Sequence, residues 1–585
     1  METIENLGKY TFPALLNNSV KKFGNRPALA LVGKTPITYE EVNQKVIQVS
    51  KLLFSLGLKS KAKIALLGTG RPEWGISYFA IVNQKMIAVP LLPDFSTIEI
   101  SSILTHCEVD ALIVEEKLYE KIKSIENELP SLIVKMDDFS LIKGTVTEDP
   151  EKIETIEVEE DDTASIIYTS GTTGRSKGVE LSHKSLVWNA IGGQSFHRVN
   201  KMDRVLSFLP ISHVYEFTIG FLMQFLNGAC VYYLGKPPVV SALLPAFKIV
   251  EPTIVLSVPL VMEKIYKSKV LPTFQKSNFT RTLYKIPMFR RILNRVAGKQ
   301  LKKTFGGHLI FFGIGGSKVD PDVEKFMREA KFPYAIGYGL TETAPLLAGS
   351  GTKITIPGVL GPILPGVDIQ IANPNPETGV GEIVAKGPNV MKGYYKEPEL
   401  TKQAFTTEED SCGAGYFRTG DLGTLEKIKG MIRLSLKGRC KNMILGPNGE
   451  NIYPEDIEFV LNQHPFVSES LVVEDDNGLV ALVQLDEEKL ENEAEQRSKI
   501  KMPNFAEMGE NFAKEISYQK EVILGEIQFF VNSKINKNSK INKVQKVESF
   551  EKTASQKIKR YLYDMKTNVT KAAANFTKSK KKKDK

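Results

Sequence analysis

Tyr168-Thr169-Ser170-Gly171-Thr172-Thr173-Gly174-Arg175-Ser176-Lys177-Gly178-Val179 decides how the chain is read. An apolar run, Ala164-Ser165-Ile166-Ile167-Tyr168, leads into it as a strand would, and a helix-like segment opens near Ser182 behind it. The stretch reads as a strand-to-helix connector rich in glycine and hydroxyls, with Lys177 near its end. Glycine lets a backbone turn tightly and approach an anion closely. Successive N–H groups in such a turn form an anion-binding concavity, and Ser and Thr hydroxyls add donors. That is the chemistry of a phosphate loop, although not of the common G-x-x-x-x-G-K-[ST] kind. Here Gly174 is followed by Arg175 and Ser176, and Lys177 precedes Gly178.

The surrounding chain of 585 residues is long enough for more than one domain, and 42% apolar with 25% charged residues is an ordinary globular balance. Cys107, Cys230, Cys412 and Cys440 are scattered without a C-x-x-C pair, which argues against a disulfide framework or zinc site and suits a reducing cytosol. No charged segment followed by an apolar one stands at the N-terminus, so a cytoplasmic location is expected. The best apolar run, Ile219 to Leu234, is short and interrupted by Gln224, Asn227 and Gly228, so no bilayer span is expected. The net charge of +9 is uneven. One basic cluster, Lys264 to Lys303, interleaves Arg and Lys with Phe279, Leu283, Ile286, Met288, Phe289 and Leu293, and Pro287 is expected to break any single helix there. This mixture suits an anionic membrane surface, here the inner face of the cell membrane. A second cluster forms the tail, Lys578 to Lys585. No nucleic-acid module is recognisable, and nothing in the sequence sets an oligomeric state.

Strand-like and helical patterns alternate through the first part. Expected strands are Ala28–Val32, Lys63–Leu67, Met86–Leu91, Ala111–Val114, Val205–Leu209, Ala229–Tyr233, Ile254–Val258 and Leu309–Phe312. Expected helices are Tyr10–Phe23, Tyr39–Leu56 opened by Thr38, Trp74–Val82 and Ile98–Cys107. Alternation of this kind implies parallel sheets with helices packed on them. From Gly358 to Leu445, turns such as Pro365-Gly366 and Thr378-Gly379 separate short strands, which implies an antiparallel β-rich subdomain. Beyond it a small α+β unit is expected, with a helix at Pro454–Gln463, strands near Glu469–Val473 and Leu479–Leu485, and a charged helix to about Tyr518.

Five further segments carry chemistry. Pro210-Ile211-Ser212-His213-Val214-Tyr215-Glu216 follows a strand, where ligands bind in open α/β sheets. Gly313-Ile314-Gly315-Gly316-Ser317-Lys318 offers close approach to a flat ring or phosphate. Tyr338-Gly339-Leu340-Thr341-Glu342-Thr343 puts a carboxylate where Mg²⁺ on substrate phosphates could be held. Tyr416 to Gly423, with Gly438-Arg439 after it, supplies Asp421, a carboxylate suited to ribose hydroxyls. Near the C-terminus two lysine-bearing stretches compete: Lys534 to Ile541, with Lys540, and Phe550 to Arg560, with Lys557.

In this order the six segments resemble the adenylate-forming superfamily, and most of all bacterial long-chain fatty acyl-CoA synthetases, along nearly the whole chain. The basic insertion after Tyr266 is also like that branch. The resemblance implies an α/β fold: a large N-terminal AMP- and acyl-binding domain, 1–439, of two parallel-type βα subdomains and a distorted antiparallel β-barrel. A small mobile α+β domain, 440–570, would follow a hinge at Lys441, and 571–585 would be a basic tail. It further implies that Thr169, Ser170, Gly171, Thr172, Thr173, Gly174 and Lys177 hold phosphate, and that Gly315, Gly316, Ser317, Tyr338 and Gly339 surround adenine. Thr341 would touch phosphate and Glu342 would bind Mg²⁺. Asp421 and Arg439 would hold ribose, and His213 and Val214 would line the acyl pocket. Lys557 fits the family's catalytic lysine better than Lys540 does, although Glu551 and Gln556 stand where the family has proline and glycine. The implied reaction joins a fatty acid to AMP from ATP, then transfers the acyl group to CoA as the C-terminal domain rotates about its hinge. Ligation to an acyl-carrier protein, ligation of an aryl acid, and a non-catalytic acyl or nucleotide sensor are the alternatives.

Overall fold

The computed structural model describes residues 7–149, 156–170, 176–275, 277–445, 451–475, 478–501, 510–536, 539–553 and 557–563. The basic tail, Lys578 to Lys585, lies outside them. The chain divides into two compact units: one comprises 1–171, 176–419 and 424–436, and the other 172–175, 420–423 and 437–585.

Two eight-stranded sheets build the first unit. In one, the order is Leu346–Gly349, Tyr334–Gly339, Phe311–Ile314, Ile254–Ser257, Arg204–Ser207, Cys230–Tyr233, Pro27–Leu31 and Ile37–Thr38. Its six inner strands run parallel, and the two outermost pair antiparallel. In the other, the order is Gly393–Tyr394, Ser176–Ser182, Thr163–Ser170, Ile87–Leu91, Lys63–Leu67, Ala111–Val114, Leu132–Lys135 and Leu141–Lys143. Ile64 to Leu66 and Ala111 to Val114 are fully buried, as continuous apolar runs in helix-covered parallel strands must be. The helix Tyr39–Ser55 begins at Thr38, whose hydroxyl accepts from the Glu41 N–H while the Glu41 carboxylate accepts from the Thr38 N–H. This reciprocal cap satisfies two otherwise orphaned donors. A third, five-stranded sheet contains Gly361–Pro362, Met431–Arg439, Phe417–Ile428, Gly381–Lys386 and Asp368–Ala372, in that order.

The opening stretch departs from the expected strand-to-helix connector. Ser176–Ser182 is itself a strand, paired antiparallel with Thr163–Ser170. The stretch is therefore the end of a β-hairpin, and the helix His183–Gly192 starts only after it, capped by the Ser182 hydroxyl. Pro287 does divide the basic segment, into Asn278–Lys285 and Pro287–Thr304. The strand expected at Leu309–Phe312 lies at Phe311–Ile314. Ile219 to Leu234 is spent on a wide helical segment, Glu216–Leu222, the helix Met223–Leu226 and the strand Cys230–Tyr233. Among the described residues no helix is long and apolar enough to cross a membrane.

The second unit has a three-stranded sheet, Val467–Asp475, Gly478–Leu485 and Lys543–Val547, with the helices Pro454–Leu461, Glu487–Lys501 and Glu510–Asn532. The last helix runs well past Tyr518, because Ile523, Ile527 and Val531 recur every fourth residue and are fully buried.

Glu216 is the unusual member of the first core. Its side chain is 2% exposed; Ser207 Oγ donates to Oε1 at 2.6 Å, and Oε2 has no partner among the described residues. Burial pushes this carboxyl from its ordinary 4.5 up to about 7. A carboxyl raised on folding gives stability that is complete below its unfolded pKa and is lost as pH rises through the folded one. Glu216→Gln removes the titration and keeps the shape. Between pH 5 and 9 the wild-type first unit should lose about 3 kcal/mol relative to this variant. Urea unfolding at both pH values measures it, and parallel pH profiles for the two proteins would contradict the assignment.

Candidate active site

Four adjacent strands of the first sheet, ending at Ser207, Ser257, Ile314 and Gly339, run parallel, so their carboxyl ends share one edge. Ligands of open α/β sheets bind outside that edge. His213, Gly315 to Ser317 and Leu340 to Thr343 all leave from it. His213 is half-buried and its Nδ1 accepts the Tyr215 N–H at 3.3 Å, while Val214 is fully buried. The Tyr215 ring lies over Gly315, where an added Cβ would sit 3.1 Å from it; Gly316 and Ser317 are exposed. Beside Tyr215 is an apolar cavity of about 40 Å³, lined among others by Ile219, Met223, Leu256 and Phe311.

The turn carrying Thr341 and Glu342 is held from several directions. Tyr338 is buried at the end of its strand. A Cβ on Gly339 would lie 1.7 Å from the Pro345 carbonyl oxygen, so the turn closes only with glycine there. Thr343 Oγ1 donates to the Pro345 carbonyl at 2.5 Å. Two fully buried asparagines bracket the same backbone: Asn389 Nδ2 donates to the Thr343 and Leu346 carbonyls, each at 2.9 Å. Asn189 donates to the Leu346 carbonyl at 2.9 Å and accepts its N–H at 3.1 Å. Neither asparagine stands out as a site residue in the sequence. The available sign was an amide inside an apolar helical run, Leu186 to Ile191, since a buried amide must find partners.

From the second sheet, Thr169 pairs with Lys177 and Ser170 with Ser176 across the hairpin. Gly171, Thr172, Thr173 and Gly174 lie outside the described residues. Tyr394, which the sequence reading missed, brings the two sheets' site residues together. Its two-residue strand pairs with Val179 and Glu180. Its hydroxyl donates to Glu342 Oε1 at 2.9 Å, and Lys177 Nζ lies 5.1 Å from its ring centroid. Burial first, then the neighbouring Glu342 charge, raises the Tyr394 pKa, so the phenol stays protonated and remains a donor. Mg²⁺ is commonly bound through one or two carboxylates plus substrate phosphates. Glu342 fits that share, with Oε1 held by Tyr394 and Thr341 as its neighbour. Among the described residues no group of three or more His, Cys, Asp or Glu side chains gathers to hold a metal.

In the second unit Arg439 Nε donates to Asp421 Oδ1 at 2.9 Å, with the carboxylate buried and the guanidinium partly exposed. Lys441 is exposed in the turn Cys440–Asn442. Lys557 lies on a small hairpin. Its N–H meets Thr553 Oγ1 at 3.2 Å, its carbonyl accepts the Thr553 N–H at 2.8 Å, and Lys552 bridges to Ile558. The Glu551 N–H donates to Tyr563 Oη at 2.8 Å, a bond proline could not make. Gln556 lies outside the described residues. Arg560, next along, pairs with Glu458. Lys540 is exposed and immediately precedes Ile541, which is buried against the long helix.

A model of the AMP-binding enzyme family matches residues 16–395. The long-chain-fatty-acid–CoA ligase FadD15 of Mycobacterium bovis is 27% identical over 501 residues, covering 80% of each chain. The chloroplastic long-chain-fatty-acid–[acyl-carrier-protein] ligase AEE15 of Arabidopsis thaliana is 27% identical over 553 residues, covering 79% of this chain and 74% of the relative. Among solved structures, the anthranilate CoA ligase AuaEII with anthranoyl-AMP superposes with a TM-score of 0.74 at 20% identity, covering 98% of this chain and all of that one. A match over about two thirds of the sequence, on the α/β fold its motifs implied, places this chain in the AMP-binding enzyme family of adenylate-forming proteins.

Proposed function

We propose that the chain is a long-chain fatty acid–CoA ligase that forms AMP. The observation carrying this reading is the Glu342–Tyr394–Lys177 cluster at the sheet edge, in a chain 27% identical to a ligase named for that reaction. In the first step a fatty carboxylate oxygen attacks the α-phosphate of ATP, the bond to the β-phosphate oxygen breaks, and pyrophosphate leaves. Positioning and charge neutralisation dominate such a transfer. Lys177, Lys557 and the hydroxyls of Thr169, Ser170, Thr172 and Thr173 would neutralise and orient the phosphates. Glu342 would hold Mg²⁺, which would supply further charge neutralisation to the phosphates. Tyr394 keeps the Glu342 carboxylate aimed. Asp421 and Arg439 would accept and fix the ribose. In the second step the CoA thiol sulfur attacks the acyl carbonyl, loses its proton, and AMP leaves with the electrons of the anhydride bond.

The acid would enter beside His213 and Tyr215. The cavity beside Tyr215 is apolar, with Ile219, Met223, Leu256 and Phe311 in its lining, which suits the hydrocarbon part of an acid. An acyl-carrier protein as the acceptor is the second reading, favoured by AEE15 at equal identity. The discriminating assay supplies palmitate, ATP and Mg²⁺ with either CoA or a phosphopantetheinyl carrier protein. Consumption of free CoA supports the first reading, and acylation of the carrier alone supports the second. Absence of pyrophosphate release with every member of a carboxylic-acid panel would sink both.

Two variants test the residue roles. Lys557→Ala should slow acyl-adenylate formation about 100-fold or more, the scale of a lost charge-stabilising donor, with Lys540→Ala close to wild type. The opposite ranking in single-turnover assays would move the role to Lys540. Tyr394→Phe deletes one hydrogen bond to a charged group and should lower the adenylation rate about 10- to 100-fold. It should also raise the Mg²⁺ concentration needed for half-maximal rate; an unchanged Mg²⁺ dependence would show that Tyr394 does not position Glu342.

A further inference from the structure

From Lys264 through Lys318 the chain contains no Asp or Glu, while Lys264 to Lys303 contains twelve Lys and Arg. Most of that basic stretch folds into the helices Asn278–Lys285 and Pro287–Thr304. One side of this pair is fastened to the first unit. Tyr284 stacks on Phe274 and donates to Asn294 Oδ1 at 3.0 Å, Leu301 is buried, and Arg290 forms a two-pronged bond with Glu329 at 2.8 and 3.0 Å. Arg290 is thereby withdrawn from the surface charge of the cluster.

The opposite side has a different character. Met288, Ile292 and Val296 follow one another at four-residue spacing and are 62%, 50% and 65% exposed. Three residues after each of them stands an exposed cation: Arg291, Arg295 and Lys299. On a helix such positions are surface neighbours, so an apolar row and a basic row run side by side. Phe279, 73% exposed on the preceding helix, extends the apolar row's character. Among the described residues no carboxylate pairs with Arg291, Arg295 or Lys299. Water is a poor solvent for the first row and a good one for the second, and one environment suits both: the headgroup region of a bilayer with negative lipids. A nucleic acid would match the cations and leave Met288, Ile292 and Val296 without a partner.

We propose that this face of Pro287–Thr304, with Phe279, docks on an anionic lipid bilayer: Met288, Ile292 and Val296 enter the boundary of headgroup and acyl chain, and Arg291, Arg295 and Lys299 meet lipid phosphates. It goes beyond the ligase reading and stands without it. The test is co-sedimentation of the full chain, without ATP or fatty acid, with vesicles of phosphatidylcholine alone or with 30% phosphatidylglycerol. Wild type should bind the anionic vesicles at least tenfold more tightly and lose that margin in high salt. Arg291→Glu/Arg295→Glu/Lys299→Glu and Met288→Ser/Ile292→Ser/Val296→Ser should each weaken anionic-vesicle binding at least tenfold, with the circular dichroism of wild type. Both triple variants leave Lys578 to Lys585 intact. Unchanged vesicle binding by either would therefore refute this face and point to the tail. Binding to duplex DNA that survives the serine substitutions, with none to vesicles, would also overturn the proposal.

Discussion

One hydrogen bond, from the Tyr394 hydroxyl to Glu342, ties a candidate site residue at the edge of one sheet to a strand paired beside Lys177 in the other. Glu342 follows a parallel strand of one sheet, and Lys177 lies on a hairpin of the other. Neither sheet alone fixes their separation. Tyr394 does so because its short strand is paired to the Lys177 strand while its phenol reaches across to the carboxylate. The backbone repeats the tie: the Met391 N–H donates to the Glu342 carbonyl, and the Tyr395 N–H to the Gly178 carbonyl, each at 2.8 Å. If Glu342 takes the cation as proposed above, a carboxylate held this way would lose little further freedom on binding it.

The turn that carries Glu342 is also held by two buried asparagines. Asn189 and Asn389 both donate to the Leu346 carbonyl, and Asn389 also to the Thr343 carbonyl, inside the buried core. Asn189 pairs through both its amide nitrogen and its oxygen, whereas Asn389 Oδ1, like Glu216 Oε2, is buried with no partner among the described residues. An unmet buried polar atom carries a desolvation cost, so the turn and Glu216 both hold polar groups at some expense to the fold.

Much of this was legible from residues alone, for identifiable reasons. Lys63–Leu67 and Ala111–Val114 were readable to the residue, because strands buried on both faces are uninterrupted apolar runs. Thr38 announced its helix through the cap. Gly339, Thr341 and Glu342 were singled out because their order matched a known family's motif, and the structure places them in one turn after a parallel strand. The hairpin was not. Ser176 to Ser182 has little apolar periodicity of its own, and its extended form comes from pairing with Thr163–Ser170. Tyr394 was hidden for a related reason: a two-residue strand leaves no pattern, and a tyrosine after glycine looks like any turn. The different surroundings of Arg290 and Arg291, adjacent and chemically identical, likewise appear only with Glu329 on another helix.

The hairpin bearing Lys557 shows how a departure from a family pattern changes the thermodynamic means of holding a loop. Proline stiffens a loop by removing conformations from the unfolded chain. With Glu551 in its place that entropic help is gone, and the amide it restores is spent on Tyr563, whose ring also packs edge-on against Phe550. The hairpin thus gains a hydrogen bond to a specific aromatic neighbour, in addition to the Thr553–Lys557 bonds. Such a contact weakens with heating and with any chemistry that alters the phenol, whereas a pyrrolidine ring responds to neither. The hairpin's support is in this sense shared between the 551 backbone amide and the 563 phenol, beside the bonds between Thr553 and Lys557.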